Sequence, residues 1–162
     1  LDGGIKHWQK QGYAVTTTLP VIKPAIFRMY LDENQWLSAA QVRDKLAAKA
    51  IKLIDARTPE RYRGEQEPID PVAGHIPGAL NRAFQLNLNA NGLFLSADAL
   101  REQFKQLLAN TPPKQTVHMC GSGVTACHNL LAMEYAGLTG SKLYAGSWSD
   151  WIRDKNRAVA VA

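Results

Sequence analysis

The chain has 162 residues, 46% of them hydrophobic, which is enough to bury one good core, so one complete domain plus an appendage is expected. Its formal charge of +5 comes from 19 Lys and Arg spread among 14 Asp and Glu, with no basic block and no aromatic-basic ladder; a nucleic-acid partner is not expected, although the mildly positive field draws in small anions. No apolar run approaches the roughly 20 residues of a membrane helix, the chain opens on LDGG without a signal-peptide pattern, and its two cysteines, Cys120 and Cys127, form no CxxC; no membrane association is expected, and reduced thiols in a cytoplasmic compartment are.

In chain order, LDGGIKHWQKQGYAVTT carries a Gly-Gly turn and a short helical pattern but no core of its own. Residues 17–26, TTLPVIKPAI, hold two prolines and little periodicity, as an extended linker does. A compact domain is expected from Phe27, with FRMYL (27–31) as an edge strand and Ser38 capping the helix AAQVRDKLAAKA. KLIDA is a β-rich run through Asp55, RTPERYRG has a proline opening a helical turn, and EQEPIDPVAGHIPGALN is a turn-rich loop returning to a short strand. Ser96 and Leu100 to Leu108 make a second amphipathic helix closed by NTPPK. TVHMC is a strand, GVTACHNLLAMEYAGL a largely apolar helix ending at Gly137, and KLYAG another strand. Strands alternating with helices predict an α/β fold with a parallel sheet, and ligands gather at the carboxyl ends of such strands, where Asp55 and Cys120 fall.

A short internal repeat aligns LDGGIKHW (1–8) with YAGSWSDW (144–151), matching Gly3 to Gly146 and Trp8 to Trp151. A true repeat makes residues 1–16 the tail of a preceding homologous domain and the chain a part of a tandem protein.

Cys120 stands at a strand end, and Gly121, Ser122 and Gly123 let the following peptide groups turn inward before a helix starts. Such a loop gathers N–H groups that stabilise a thiolate or a sulfur anion attached to it. A lone cysteine is more often a small buried hydrophobe, but a structural turn has no need of so many polar groups around one sulfur. A cysteine phosphatase needs an arginine six positions after its nucleophile to clamp phosphate; Ala126 stands there.

CGSGVTA (120–126), DARTPERYRG (55–64), GHIPGA (74–79) and YAGSWSDW (144–151) together resemble the 3-mercaptopyruvate sulfurtransferases of the rhodanese superfamily in order and spacing, over residues 27–155. The resemblance implies a rhodanese-like parallel sheet flanked by helices on both faces. It divides the chain into 1–16, the tail of a preceding rhodanese-like domain, 17–26, a linker, and 27–162, a catalytic rhodanese domain. Cys120 would take a sulfur atom from the donor as a persulfide and pass it to a thiol or cyanide. The amides of Gly121, Ser122, Gly123, Val124, Thr125 and Ala126 would hold the terminal sulfur, and Arg61 would bind a carboxylate or sulfonate of the small anionic sulfur donor. Asp55 and Arg57 would form a structural ion pair beside the site, and His75 would stabilise a turn.

In the mercaptopyruvate enzymes the serine matching Ser122 belongs to a proposed Ser-His-Asp relay whose other members come from the first domain, which this chain does not contain. His118, on the same strand face as Cys120, is the local candidate to replace them, although such a histidine is more often a hydrogen-bonded strand residue. Thiosulfate rhodaneses carry Arg-Lys where Gly121-Ser122 stand, so the loop favours mercaptopyruvate. One departure is Ile69, at a place where the mercaptopyruvate enzymes usually carry an arginine; Arg63 or Arg82 is the expected substitute. The runners-up are a thiosulfate sulfurtransferase and a persulfide carrier or docking module without turnover. The expected partners are the missing N-terminal rhodanese domain and a thiol acceptor such as a thioredoxin-like protein.

No cofactor is expected. His7, His75, His118 and His128 show no metal-ligand spacing with either cysteine, so no metal site is expected either. Trp148 and Trp151 read as core packing. Cys127 reads as inert, with a role in resolving an oxidised Cys120 as the alternative.

Overall fold

The computed structural model describes residues 1–162. Four parallel strands, β1 (Lys52–Asp55), β2 (Leu80–Asn81), β3 (Thr116–Met119) and β4 (Lys142–Leu143), form one sheet in the order β2-β1-β3-β4. The register sets Ile54 beside His118 and Asp55 beside Met119, so the carboxyl ends of the two central strands finish level.

Both sheet faces are covered, because successive side chains of a strand alternate between them. Leu53, Val117 and Met119 face α2 (Ala39–Ala47) and α6 (Ser147–Trp151), packing with Val42, Tyr144, Trp148 and Trp151. Ile54 faces the other way, toward α4 (Ala97–Leu108) and α5 (Val124–Tyr135), in a core with Leu100, Phe104, Leu108 and Met133. Phe104 and Trp148 are fully buried, and truncating either to alanine would cost about 3–5 kcal/mol. The fold is therefore the α/β sandwich expected, with helices on both faces.

The caps fall where the sequence puts them. Ser38 Oγ accepts the Gln41 N–H at 3.3 Å while Gln41 Oε1 accepts the Ser38 N–H at 2.8 Å, a reciprocal pair that fixes the start of α2. Ser96 Oγ accepts the Ala99 N–H at 3.3 Å at the start of α4.

FRMYL is not a strand. Residues 11–35 are all exposed, and Phe27, Met29, Tyr30 and Leu31 have no partner strand to order them. The edge position beside β4 is taken further along the chain, where Trp36 bridges Leu143 and the Leu37 N–H donates to Leu143 O at 2.9 Å. Burial begins at Leu37.

Gly3 leads into α1 (Gly4–Lys10) and Gly146 into α6, each helix carrying a tryptophan. Their packing differs. α6 buries Trp148 and Trp151 against the sheet, whereas α1 buries nothing. The N-terminal segment meets the rest around Phe94, where Asp2 Oδ1 accepts the Phe94 N–H at 3.0 Å and Leu1 shares a cavity wall with Leu131 and Tyr135.

Candidate active site

Cys120 follows β3 directly and is buried. The chain then turns through Gly121–Gly123 into α5, and Gly123 has φ +84°, with a Cβ there falling 2.6 Å from the Ala145 carbonyl oxygen. Only glycine fits that close approach.

The outer side of the loop is tied to α6. Cys120 O and Gly121 O accept the N–H groups of Trp148 (3.0 Å) and Ser149 (2.9 Å), and the Cys120 N–H donates to Ser147 Oγ at 3.0 Å. With their carbonyls turned that way, none of the amides from Gly121 to Ala126 donates to a protein acceptor. Those of Val124, Thr125 and Ala126 are the open N-terminal donors of α5. The result is a run of unpaired N–H groups beside one sulfur, suited to hold an anion.

A cavity of about 190 Å³ opens on this loop, lined by Cys120, Gly121, Ser122, Val124 and Thr125 together with Arg61, Ile69, Asp70 and Ser149. Gly123 and Ala126 lie buried behind it. A larger cavity, about 690 Å³, lies at the opposite end of the sheet, beside Lys52 and Gln115. Its lining has basic and apolar residues but no cysteine, histidine or carboxylate, so the smaller cavity, which holds Cys120, is the candidate site.

Arg61 projects from α3 (Pro59–Arg63), where Pro59 opens the helix and Gly64 closes it with φ +82°. Its Nε contacts both Glu67 oxygens at 3.1 Å, and its Nη2 lies 2.6 Å from Glu67 Oε1 and 3.3 Å from Asp70 Oδ2. Nη1 has no protein partner. Both terminal nitrogens come within 3.6 Å of where a Cβ on Gly121 would stand. Burial pushes the Glu67 carboxyl up, but the Arg61 guanidinium and the N–H groups of Asp70 and Ile69 outweigh it and hold the group below the usual carboxylate range.

Asp55 and Arg57 form a buried ion pair, Oδ2 to Nη2 at 2.7 Å. Arg57 also reaches Gly74 O at 2.7 Å and Glu67 Oε2 at 3.2 Å, and its guanidinium lies 4.7 Å from the Trp148 ring centroid. The pair thus ties β1, the 65–74 loop and α6 behind the cavity. His75 stacks on Tyr62, ring centroids 3.9 Å apart, with Nδ1 2.8 Å from Tyr62 O, and its backbone pairs with Ala160. Neither group lines the cavity.

Three expected substitutes lie elsewhere. His118 is fully buried among Met133 and Phe104, with Nε2 3.2 Å from Met133 Sδ. Burial, aided by the Arg82 charge, lowers its pKa to about 3, so it does not relay protons to Ser122. Arg82 is buried against Phe104 and donates to Gln103 at 2.8 Å, and Arg63 pairs with Glu65 on the surface. Ile69 does line the cavity, leaving Arg61 as its cation. Ser122 is exposed and its hydroxyl has no partner.

Sequence reasoning missed Glu67, Asp70, Ser147 and Ser149. The acidic pair in EQEPIDP, next to two arginines destined for one site, was the available signal for the first two.

A family model described as a rhodanese-like domain matches residues 38–154. The chain belongs to the rhodanese-like family. Among curated relatives of this rhodanese-like chain, a probable 3-mercaptopyruvate sulfurtransferase of Pseudomonas aeruginosa is 47% identical over 161 residues, covering 99% of this chain and 57% of the relative. The 3-mercaptopyruvate sulfurtransferase of Homo sapiens is 35% identical, covering 93% and 51%. The thiosulfate sulfurtransferase of Rattus norvegicus is also 35% identical, covering 94% and 52%. The chain thus spans about half the length of the curated relatives it matches. Among solved structures, the anaerobic ergothioneine biosynthesis enzyme from Chlorobium limicola shares the fold, with TM-score 0.84 at 19% identity over 100% of this chain and 41% of that one. No helix is long and apolar enough to cross a membrane.

Proposed function

We propose that this chain is the catalytic part of a sulfurtransferase that moves sulfur from 3-mercaptopyruvate, through a persulfide on Cys120, to a thiol or cyanide. The observation that carries the reading is the run of unpaired amides, Gly121 to Ala126, beside the Cys120 sulfur. The Cys120 thiolate attacks the donor thiol sulfur; an S–S bond forms, the donor C–S bond breaks, and its electron pair leaves as the enolate of pyruvate. The proton of the transferred sulfhydryl passes to that enolate, giving pyruvate and Cys120-S-S⁻. The loop amides hold the terminal sulfur, and Arg61 Nη1 binds the donor carboxylate. An acceptor thiolate then takes the outer sulfur and returns Cys120 as thiolate; cyanide leaves as thiocyanate.

Residues 1–16 belong, on this reading, to the end of a preceding rhodanese-like domain and 17–26 to the linker, with 27–162 the catalytic domain. The exposed apolar side chains between Tyr13 and Leu31 and the lengths of the relatives support that division. The absent domain supplies the partners of Ser122 and closes the cleft to water, so the chain alone takes up sulfur but turns over slowly. A thioredoxin-like protein is the expected thiol acceptor. Thiosulfate is the second donor, favoured by the relatives named for it.

Intact-protein mass spectrometry after brief exposure to each donor tests the reading. A gain of one sulfur atom from mercaptopyruvate, absent in Cys120→Ser, is expected. A free thiol that gains sulfur from neither donor overturns it.

A further inference from the structure

We propose that Asp70 sets the charge selectivity of the donor cleft, disfavouring dianionic sulfur donors against monoanionic ones; this rests on the reading of Cys120 as the sulfur acceptor.

Asp70 lines the same cavity as Cys120, although its side chain is only 8% exposed. It is fixed from three sides. Its N–H donates to Glu67 Oε1 at 3.2 Å, its Oδ2 lies 3.3 Å from Arg61 Nη2, and its Oδ1 lies 2.7 Å from Ser149 Oγ. Ser149 is itself held to the Cys120 loop by its N–H on Gly121 O, so Asp70 is tied to that loop through Ser149. Its Oδ2 is 3.9 Å from where a Cβ on Gly121 would stand.

Arg61 and Asp70 are the charged side chains that line the cavity. Behind them Arg57 pairs with Asp55, and Glu67 contacts both arginines, so the connected network holds three carboxylates to two guanidiniums. Arg57 is committed to Asp55, and Glu67 takes the Nε edge of Arg61 at 3.1 Å, so Asp70, held to Arg61 by the longer 3.3 Å contact, is the carboxylate that the cavity exposes to an incoming anion. Gly121 and Ser122 bring no cation to offset it. Coulomb repulsion scales with the charge of the incoming group, so thiosulfate meets about twice the penalty that a single carboxylate does. Arg61 therefore attracts the donor, while Asp70 limits how much anionic charge can come with it.

The test is steady-state kcat/KM for thiosulfate and for mercaptopyruvate in the full-length protein, comparing wild type with Asp70→Asn, Asp70→Ser and Asp70→Glu. Asn and Ser keep a polar group toward Ser149 without the charge. Each is expected to raise the thiosulfate-to-mercaptopyruvate ratio about tenfold, chiefly through a lower KM for thiosulfate, with the gain shrinking as salt screens the charge. Asp70→Glu is expected to keep the wild-type ratio. An unchanged ratio in both neutral variants, with Cys120 still taking up sulfur, overturns the role of Asp70. Failure of the wild type to take sulfur from either donor overturns the sulfurtransferase reading instead.

Discussion

Arg61 gives its Nε and Nη2 edge to Glu67, with Nη2 2.6 Å from Oε1, and keeps Nη1 free beside the Cys120 loop. One carboxylate thereby orients a long, flexible side chain and leaves one face of the fork open to a ligand. Glu67 is itself held by Arg57 at 3.2 Å and by the N–H groups of Ile69 and Asp70, so the orientation is built into the loop rather than induced.

Arg61→Lys is predicted to raise KM for mercaptopyruvate with a smaller change in kcat, lowering kcat/KM about 10–100-fold, because an ammonium cannot bind Glu67 and a donor carboxylate through two edges. Glu67→Gln leaves Arg57 with Asp55 and Arg61 with Asp70 but removes the charged acceptor they share, and should cost about 2 kcal/mol of stability, read by urea denaturation. Equal stability of that variant and the wild type would mean the ion pairs are not formed in solution.

Gly123 is predicted to tolerate no side chain. A Cβ at Gly123 meets the Ala145 carbonyl oxygen at 2.6 Å, on backbone with φ +84°. Gly92 has a similar φ, +75°, but nothing within 4 Å of its Cβ position. Gly92→Ala should cost only the left-handed penalty, about 1–2 kcal/mol, and keep sulfur uptake. Gly123→Ala should cost more and abolish uptake, since the loop must move away from the Ala145 backbone. Equal costs and equal uptake would show that the close approach is not needed.

Much of this was legible in the sequence because local rules carried it. Ser38 ahead of α2, Pro59 at the start of α3, and the short runs KLIDA and TVHMC each fix an element within a few residues. FRMYL shows where such rules fail, because a β-rich run becomes a strand only if an edge is open to it, and the edge of β4 is taken by Trp36 and Leu37. The site divides in the same way. Cys120 and its glycines announce themselves, whereas Asp70 and Ser149 meet only because residues 79 positions apart fold together. His118 lies on the strand face expected for it, but the packing of α4 and α5 decides that the face there is core and not cleft.

Cys127 is exposed in the first turn of α5, and its thiol donates to Gly123 O at 3.3 Å, a bond that a serine hydroxyl can also make. Cys127→Ser should therefore change stability by less than about 0.5 kcal/mol and leave sulfur uptake by Cys120 intact. Single-turnover decay of the persulfide is the discriminating readout. The same lifetime in both proteins is expected, and a longer one in the variant would assign Cys127 a part in removing the sulfur.

His118 predicts a pH dependence with a definite sign. In the fold it stays neutral down to about pH 3, whereas an unfolded histidine takes up a proton near pH 6.5. Below that value the unfolded chain binds a proton the native state refuses, so the stability that His118 leaves intact above pH 6.5 is lost as the pH falls toward 3. Each pH unit in that window costs about 1.4 kcal/mol, hence about 2 kcal/mol between pH 6.5 and pH 5. Denaturant unfolding at pH 7.5 and pH 5 should show a drop that is smaller by about this amount in His118→Leu, whose side chain does not titrate. Because His118 does not change its charge near neutrality in the native state, the same variant should also leave the shape of the pH-rate profile unaltered. A wild-type profile with an inflection near pH 6.5 that disappears in His118→Leu would show instead that the imidazole is reached by protons in the folded protein and that its burial is not maintained during turnover.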